Sequence, residues 1–143
     1  MKLCILGGGL TGLSLAKSLV KKGLSIDIFL NKKKSDFNRS RTIGISNYNL
    51  MYFNKEILDI KKLFWDIKKI EIYSDNLRNE KILNFENNNK TVFAIIRNYQ
   101  LQSKLLKSLK KDKLCKFKQN FDFNLSNLKK YKLIINCENG NYF

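Results

Sequence analysis

Three glycines carry the chemistry for which this chain can first be read. Gly7, Gly9 and Gly12 stand at GxGxxG spacing directly behind the apolar run LCIL, and an amphipathic pattern follows them. In a dinucleotide-binding turn each has a mechanical task. The first allows the tight turn out of a strand, the second lets a pyrophosphate approach the backbone, and the third lets the helix pack closely on the strand. Gly8, Leu10 and Thr11 fill the variable positions, and Leu10 and Thr11 would offer backbone N–H groups to a phosphate at the helix N-terminus. The same residues also suit a strand–helix turn that binds nothing. Strand, glycines, helix and second strand come in the order that nucleotide binding requires, which makes binding the stronger reading.

Composition narrows the remaining chemistry. The 143 residues include no histidine. Ser-His-Asp and Cys-His catalysis, His-based metal sites and His acid–base work are thereby excluded. Cys4, Cys115 and Cys137 are odd in number, far apart and set in apolar segments, without metal-ligand or CxxC spacing. They read as reduced, mostly buried thiols, and no metal site is expected. If the chain serves an enzyme, a cofactor must supply the reactivity. Its 28 Lys and Arg against 12 Asp and Glu give a formal net charge of +16. Such a charge attracts phosphates and anionic membrane faces. The lysines, however, are spread through nearly every segment without an RRM, KH, helix-turn-helix or zinc-finger pattern. No specific nucleic-acid partner is expected, whereas weak adhesion to an acidic membrane surface stays open. No apolar run reaches the roughly 20 residues of a bilayer span, and the start lacks signal-peptide features. The expected location is cytoplasmic, with peripheral contact at the inner membrane left open.

The elements that must position the glycines can be traced along the chain. Lys2–Leu6 reads as a first parallel strand, residues 10–22 as its helix and Ser25–Leu30 as a second parallel strand. Gly23 stands where a helix is left through a C′ glycine. Residues 31–41 read as a polar connection. Residues 47–53 and 56–64 read as short helical pieces before Trp65, with Ser46 as the N-cap of the first. Residues 69–74, 80–85 and 91–96 read as strands of a separate, mostly antiparallel sheet, inserted at about residues 66–96. Asp75–Asn76 and residues 87–89 supply the turns between them. Asn98–Lys110 returns to helical periodicity with Leu101, Leu105 and Leu109 on one face. Residues 114–117 and 131–137 resume the parallel sheet. Phe64 and Trp65 are expected in the core, Cys4 and Cys137 on central strands as inert thiols, and Asp27, in mid-strand, as a solvated edge residue in preference to a ribose ligand. The end soon after the last strand reads as a chain cut short.

Several stretches together resemble the flavin-dependent aromatic hydroxylases of ubiquinone biosynthesis. ILGGGLTGLSLAKSLVKK (5–22) is similar to the family's FAD-binding opening, and RTIGIS (41–46) to its R-a-x-a-L-S segment. WDIKKIEIYSD (65–75) resembles its W…PI..I.VSD strand without the proline. IIRNYQLQSKLL (95–106) resembles its N-x-x-L-Q-x-x-L helix start, and LIINCENG (133–140) its L-V-V-x-A-D-G strand. The resemblance covers nearly the whole chain but only the N-terminal part of a family member. It implies FAD as cofactor, with NADPH as an electron donor, and an aromatic quinone precursor as substrate. It also implies a flavin-side role for Arg41, and places Arg97 near a flavin-side polar position that the family's strict spacing assigns to Asn98. The family's acid at the end of the second strand falls on Leu30 or Asn31, neither acidic, and its Gly-Asp-Ala-x-His motif is absent.

The expected fold class is therefore α/β, a GxGxxG Rossmann-like parallel sheet with helices plus part of an inserted antiparallel substrate-domain sheet. The candidate cofactor-binding residues are Gly7, Gly9, Leu10, Thr11, Gly12, Arg41 and Arg97; no catalytic side chain is assigned. Two rival readings stay open. Lys32, Lys33 and Lys34 after an acid-free second strand would suit the 2′-phosphate of NADP. Alternatively, the chain is a non-catalytic basic module that keeps the glycine turn only as fold. Oligomeric state is not legible.

Overall fold

A computed structural model describes residues 2–30, 39–75, 78, 80–119 and 129–138. Lys2–Leu6 forms β1, Leu10–Lys21 forms α1 and Ser25–Leu30 forms β2. The helix closes on Gly23, whose φ of +79° is a conformation that side-chain-bearing residues seldom adopt. Cys115–Gln119 (β8) and Leu133–Asn136 (β9) complete a four-stranded parallel sheet in the order β8-β2-β1-β9. Strand alternation sends Leu3, Ile5, Ile26 and Ile28 to one face, where they meet Leu13, Ala16 and Val20 of α1. Asn98–Lys110 (α3) adds Leu101, Leu105 and Leu109 to that core, as the four-residue spacing anticipates.

Thr42–Ser46 (β3), Phe64–Ile67 (β4) and Phe93–Arg97 (β7) make a three-stranded antiparallel sheet in the order β3-β7-β4. Lys69–Tyr73 (β5) and Lys81–Glu86 (β6) form a separate hairpin. The antiparallel strands thus begin at Thr42, within the segment RTIGIS, earlier than the sequence indicated. Ala94 and Ile96 of β7 are fully buried in the same core as α1 and α3, so the two sheets are joined through shared packing. On the hairpin, Lys81 and Lys69 hydrogen-bond the Glu71 carboxylate and hold its pKa down at about 2.

Asn47–Tyr52 (α2) is capped by Ser46, whose hydroxyl oxygen accepts the Asn49 N–H at 3.4 Å. The expected helix over residues 56–64 does not form. A π-helical turn runs over Phe53–Ile57, and Leu58 then turns extended. Two side chains explain the break. Asn54 Oδ1 accepts the Ile60 N–H at 2.8 Å and Asp59 Oδ1 accepts the Lys61 N–H at 3.0 Å, so two donors that a helix would use are taken locally. Ile57 and Ile60 are then free to enter the core.

Two further expectations are corrected. Trp65 is 49% exposed, because strand alternation puts it on the sheet face opposite the core, while its neighbour Phe64 packs against the core. Asp27 is not solvated but fully buried, because its strand is flanked by β1 and β8. Its Oδ2 meets Lys2 Nζ at 3.0 Å and Lys118 Nζ at 2.6 Å, and accepts the Tyr131 hydroxyl at 2.6 Å. Burial pushes the Asp27 carboxyl up, but these hydrogen bonds outweigh it and hold the pKa below the ordinary value.

Candidate functional site

The glycine turn lies at the C-terminal end of β1, between β2 and β9. Gly7 has φ +114°, and its N–H donates to the Phe29 carbonyl at 2.9 Å, which ties the turn to β2. A Cβ at Gly7 would also stand 2.7 Å from Glu138 Cγ, so the residue needs glycine both for conformation and for space. At Gly12 an added Cβ would collide with the Gly7 carbonyl oxygen, the close helix-to-strand approach that the third glycine of the spacing serves. Gly9 differs from both. Nothing lies within 4 Å of a Cβ built there.

The opening above Gly9 faces unsatisfied donors. Gly9 is the N-cap of α1 and has no side chain to satisfy the first turn. The N–H groups of Leu10, Thr11 and Gly12 have no intrahelical acceptor, since the first bond of the helix is Leu13 N–H to Gly9 O at 3.0 Å. No acid stands in the first turn to compete for these donors or repel an anion. The residues therefore fit a phosphate group, and the helix dipole favours one.

Gln102, one turn into α3, holds the turn from the other side. Its Nε2 donates to the Gly8 carbonyl at 2.8 Å. Sequence reasoning assigned it no role, although the L-Q pair of the resemblance contained it. Five residues before it stands Arg97, the N-cap of α3, which at helical rise is about 7 Å along the axis. Thr42 pairs with Arg97, and the Asn98 N–H donates to the Arg41 carbonyl at 3.0 Å, so both candidate arginines meet where β3 and β7 join. Both are exposed. The Arg97 guanidinium stacks over the Trp65 ring at 5.1 Å.

The five turn residues Gly7, Gly9, Leu10, Thr11 and Gly12 thus form one cradle, while Arg41 and Arg97 form a second group at the antiparallel sheet. At the end of β2, where the resemblance expects an acid, Leu30 lies against the turn so closely that it would clash with a Cβ at Gly8. Asn31 and Lys32, Lys33 and Lys34 lie outside the described residues. The cysteines behave as inert groups. Burial pushes the Cys4 thiol up to about 12, helped by Asp27, and the Cys115 thiol up to about 11. Burial likewise raises Cys137. Among the described residues no three His, Cys, Asp or Glu groups gather as a metal site, and no helix is long and apolar enough to cross a membrane.

No protein-family model matches the sequence, and no curated protein matches it either. Solved structures do match in fold. The p-nitrophenol 4-monooxygenase PnpA from Pseudomonas putida DLL-E4 aligns with a TM-score of 0.66 at 15% identity, over 82% of this chain and 31% of that one. PqsL from P. aeruginosa, solved in complex with 2-aminobenzoylacetate, aligns with a TM-score of 0.64 at 14% identity, over 83% and 33%. HpxO from Klebsiella pneumoniae, complexed with FAD and uric acid, aligns with a TM-score of 0.59 at 19% identity, over 82% and 30%. The chain spans about a third of the length of each. With its parallel sheet and separate antiparallel sheets, the chain has the mixed α/β fold found over the matched third of these monooxygenases.

Proposed function

We propose that the chain is an FAD-binding segment of a flavin-dependent monooxygenase acting on an aromatic ring. One observation carries the reading: the open, unsatisfied helix N-terminus above Gly9, set in a fold shared with FAD-containing monooxygenases. In that role Leu10, Thr11 and Gly12 N–H groups hold the pyrophosphate, and Gly9 lets it approach. Gln102 keeps the Gly8 carbonyl turned away from the anion, and Arg41 supplies positive charge beside the cofactor. Bound FAD would supply the redox chemistry with dioxygen, for which the chain has no side chain of its own. NADPH would be the electron donor. Ring hydroxylation in ubiquinone biosynthesis is the finer assignment, and it rests on the resemblance of RTIGIS, IIRNYQLQSKLL and LIINCENG to that family. The net charge of +16 supports contact with an anionic membrane face, where a quinone precursor would be met.

Titration of the purified protein with FAD, followed by flavin fluorescence, tests the assignment. Saturable binding is expected, and Gly9→Ala should weaken it by about tenfold or more while leaving the apo melting temperature nearly unchanged, because the new methyl enters only the phosphate space. A melting response to NADPH alone would replace the flavin reading with the nicotinamide one. No response to either cofactor would favour the non-catalytic module.

A further inference from the structure

The short helix α2 and the π-helical turn that continues it present two opposite faces. Leu50 and Ile57 are buried and Phe53 packs against the core, so one face holds the segment to the protein. The other face is Tyr48, Met51, Tyr52 and Lys55, at the i, i+3, i+4, i+7 positions of a helical stripe. Tyr48 is 80% exposed, Met51 64% and Tyr52 53%, and the Lys55 side chain is 84% exposed. Scattered singly, such residues would be ordinary; set in one row they form a patch. Tyr48 also lines a groove of about 410 Å3 between α2 and β6, with Phe85 and Val92, so the apolar surface continues onto the hairpin.

Charge is unevenly placed along this stripe. Asn47–Tyr52 contains no charged residue, whereas the C-terminal end gathers cations. The Lys21 ammonium donates to the Lys55 carbonyl at 2.9 Å, which brings the end of α1 beside Lys55, and the next residue, Lys22, is exposed. Glu56 reaches Lys55 at 3.7 Å, a solvated pair that leaves the ammonium available. Glu86 is the one acid lining the groove, and Lys69 stands opposite it in the β5–β6 register. An aromatic and thioether row ending in lysines matches the boundary of an anionic bilayer. Tyrosine rings suit headgroup depth, methionine the acyl chains and ammonium groups the phosphates. Two other covers match less well. A second copy would bring another chain of net charge +16 against this one. A nucleic acid offers bases to the tyrosines but no hydrocarbon layer to Met51.

We infer that this stripe is the surface by which the chain docks on an anionic membrane. Tyr48, Met51 and Tyr52 enter the headgroup boundary, and Lys21 and Lys55 pair with lipid phosphates. The inference rests on the membrane contact proposed above, to which it gives a defined face, and not on FAD being bound. It also separates two origins of adhesion. Attraction by net charge alone survives loss of the aromatic row, whereas docking by the stripe does not.

Co-sedimentation of the purified full chain with lipid vesicles tests it. Binding is expected to vesicles of phosphatidylcholine mixed with phosphatidylserine, weakening as salt is raised, and not to phosphatidylcholine alone. Tyr48→Gln with Met51→Gln and Tyr52→Gln keeps every charge and suits a helix, and it should weaken binding by about tenfold or more. Its far-ultraviolet circular dichroism and melting temperature should match the parent, because the buried face is left intact. Lys55→Gln alone should weaken binding by about fivefold. Unchanged binding of the triple variant would overturn the assignment in favour of generic lysine adhesion. Equal binding to both vesicle types, or binding to neither, would overturn it as well. A dimeric parent with a monomeric triple variant would give the face to a second copy instead, and single-stranded DNA binding lost in the triple variant would give it to nucleic acid. FAD binding is scored separately by flavin fluorescence, so failure of the cradle and failure of the stripe are read from different signals.

Discussion

The Asp27 cluster gives the sharpest test of how the parallel sheet is held. One carboxylate on β2 is fully buried and draws a partner from every other part of the sheet: Lys2 on β1, Lys118 on β8 and Tyr131 ahead of β9. The ammonium groups keep about a third of their side-chain surface, 35% and 34%, in solvent, so their own attraction is partly screened and each alone contributes about 1 kcal/mol. Removing both is different. Lys2→Met with Lys118→Met keeps most of the apolar stems but leaves a buried carboxylate with only the Tyr131 hydroxyl. An uncompensated buried charge costs about 3–5 kcal/mol, and we expect the lower end, about 3 kcal/mol at neutral pH or roughly 10 °C in melting temperature. In the parent the folded Asp27 pKa is depressed, so its stabilisation is present above the unfolded value of about 3.9 and is lost as pH falls through the folded value. In the double variant only the Tyr131 hydrogen bond still opposes burial, the largest influence on this carboxyl, so the folded pKa should rise and stability should instead increase as pH falls from neutral. Urea unfolding at several pH values measures both effects. A third variant adds Asp27→Leu to the two methionines and should recover most of the loss, because no charge is then left buried. A double variant within about 1 kcal/mol of the parent, or parallel pH profiles, would refute the reasoning. A triple variant as weak as the double would show that the lysine stems, not the charge, account for the loss.

Other outcomes follow from the same geometry. Gly12→Ala drives a methyl into the Gly7 carbonyl and should cost more than about 2 kcal/mol in urea unfolding, in contrast to the tolerated Gly9→Ala. Gln102→Leu leaves the Gly8 carbonyl without its donor and should cost about 1 kcal/mol, with a further loss in FAD affinity because the turn is no longer held. With Cys4 raised to about 12 and Cys115 to about 11, both thiols should resist a thiol-specific reagent at pH 8 in the folded protein and react promptly in denaturant. At the alkaline end, Asp27 raises the folded Lys118 pKa, so that contribution holds below the ordinary lysine value near 10.5 and is lost only as pH rises through the folded value.

Much of the site was legible because it is local. The glycine spacing, the apolar run before it and the helical period after it are properties of neighbouring residues, and the structure places β1, the turn, α1 and β2 within a residue of expectation. Ser46 could be read as an N-cap for the same reason, and so could the buried stripe Leu101, Leu105 and Leu109. The misread helix over residues 56–64 was also local in cause. Asn54 and Asp59 were visible as helix competitors, but which N–H groups they would take depended on the turn that formed.

What the sequence by itself determined is the glycine turn between β1 and α1, since GxGxxG constrains backbone geometry within six residues. Only the tertiary structure decided that Asp27 is buried, that Gln102 holds the Gly8 carbonyl and that Arg97 lies on Trp65. These contacts join residues 94, 104 and 32 positions apart in the chain. Alternation along a strand says which side a residue faces, but strand order and register decide what meets it there.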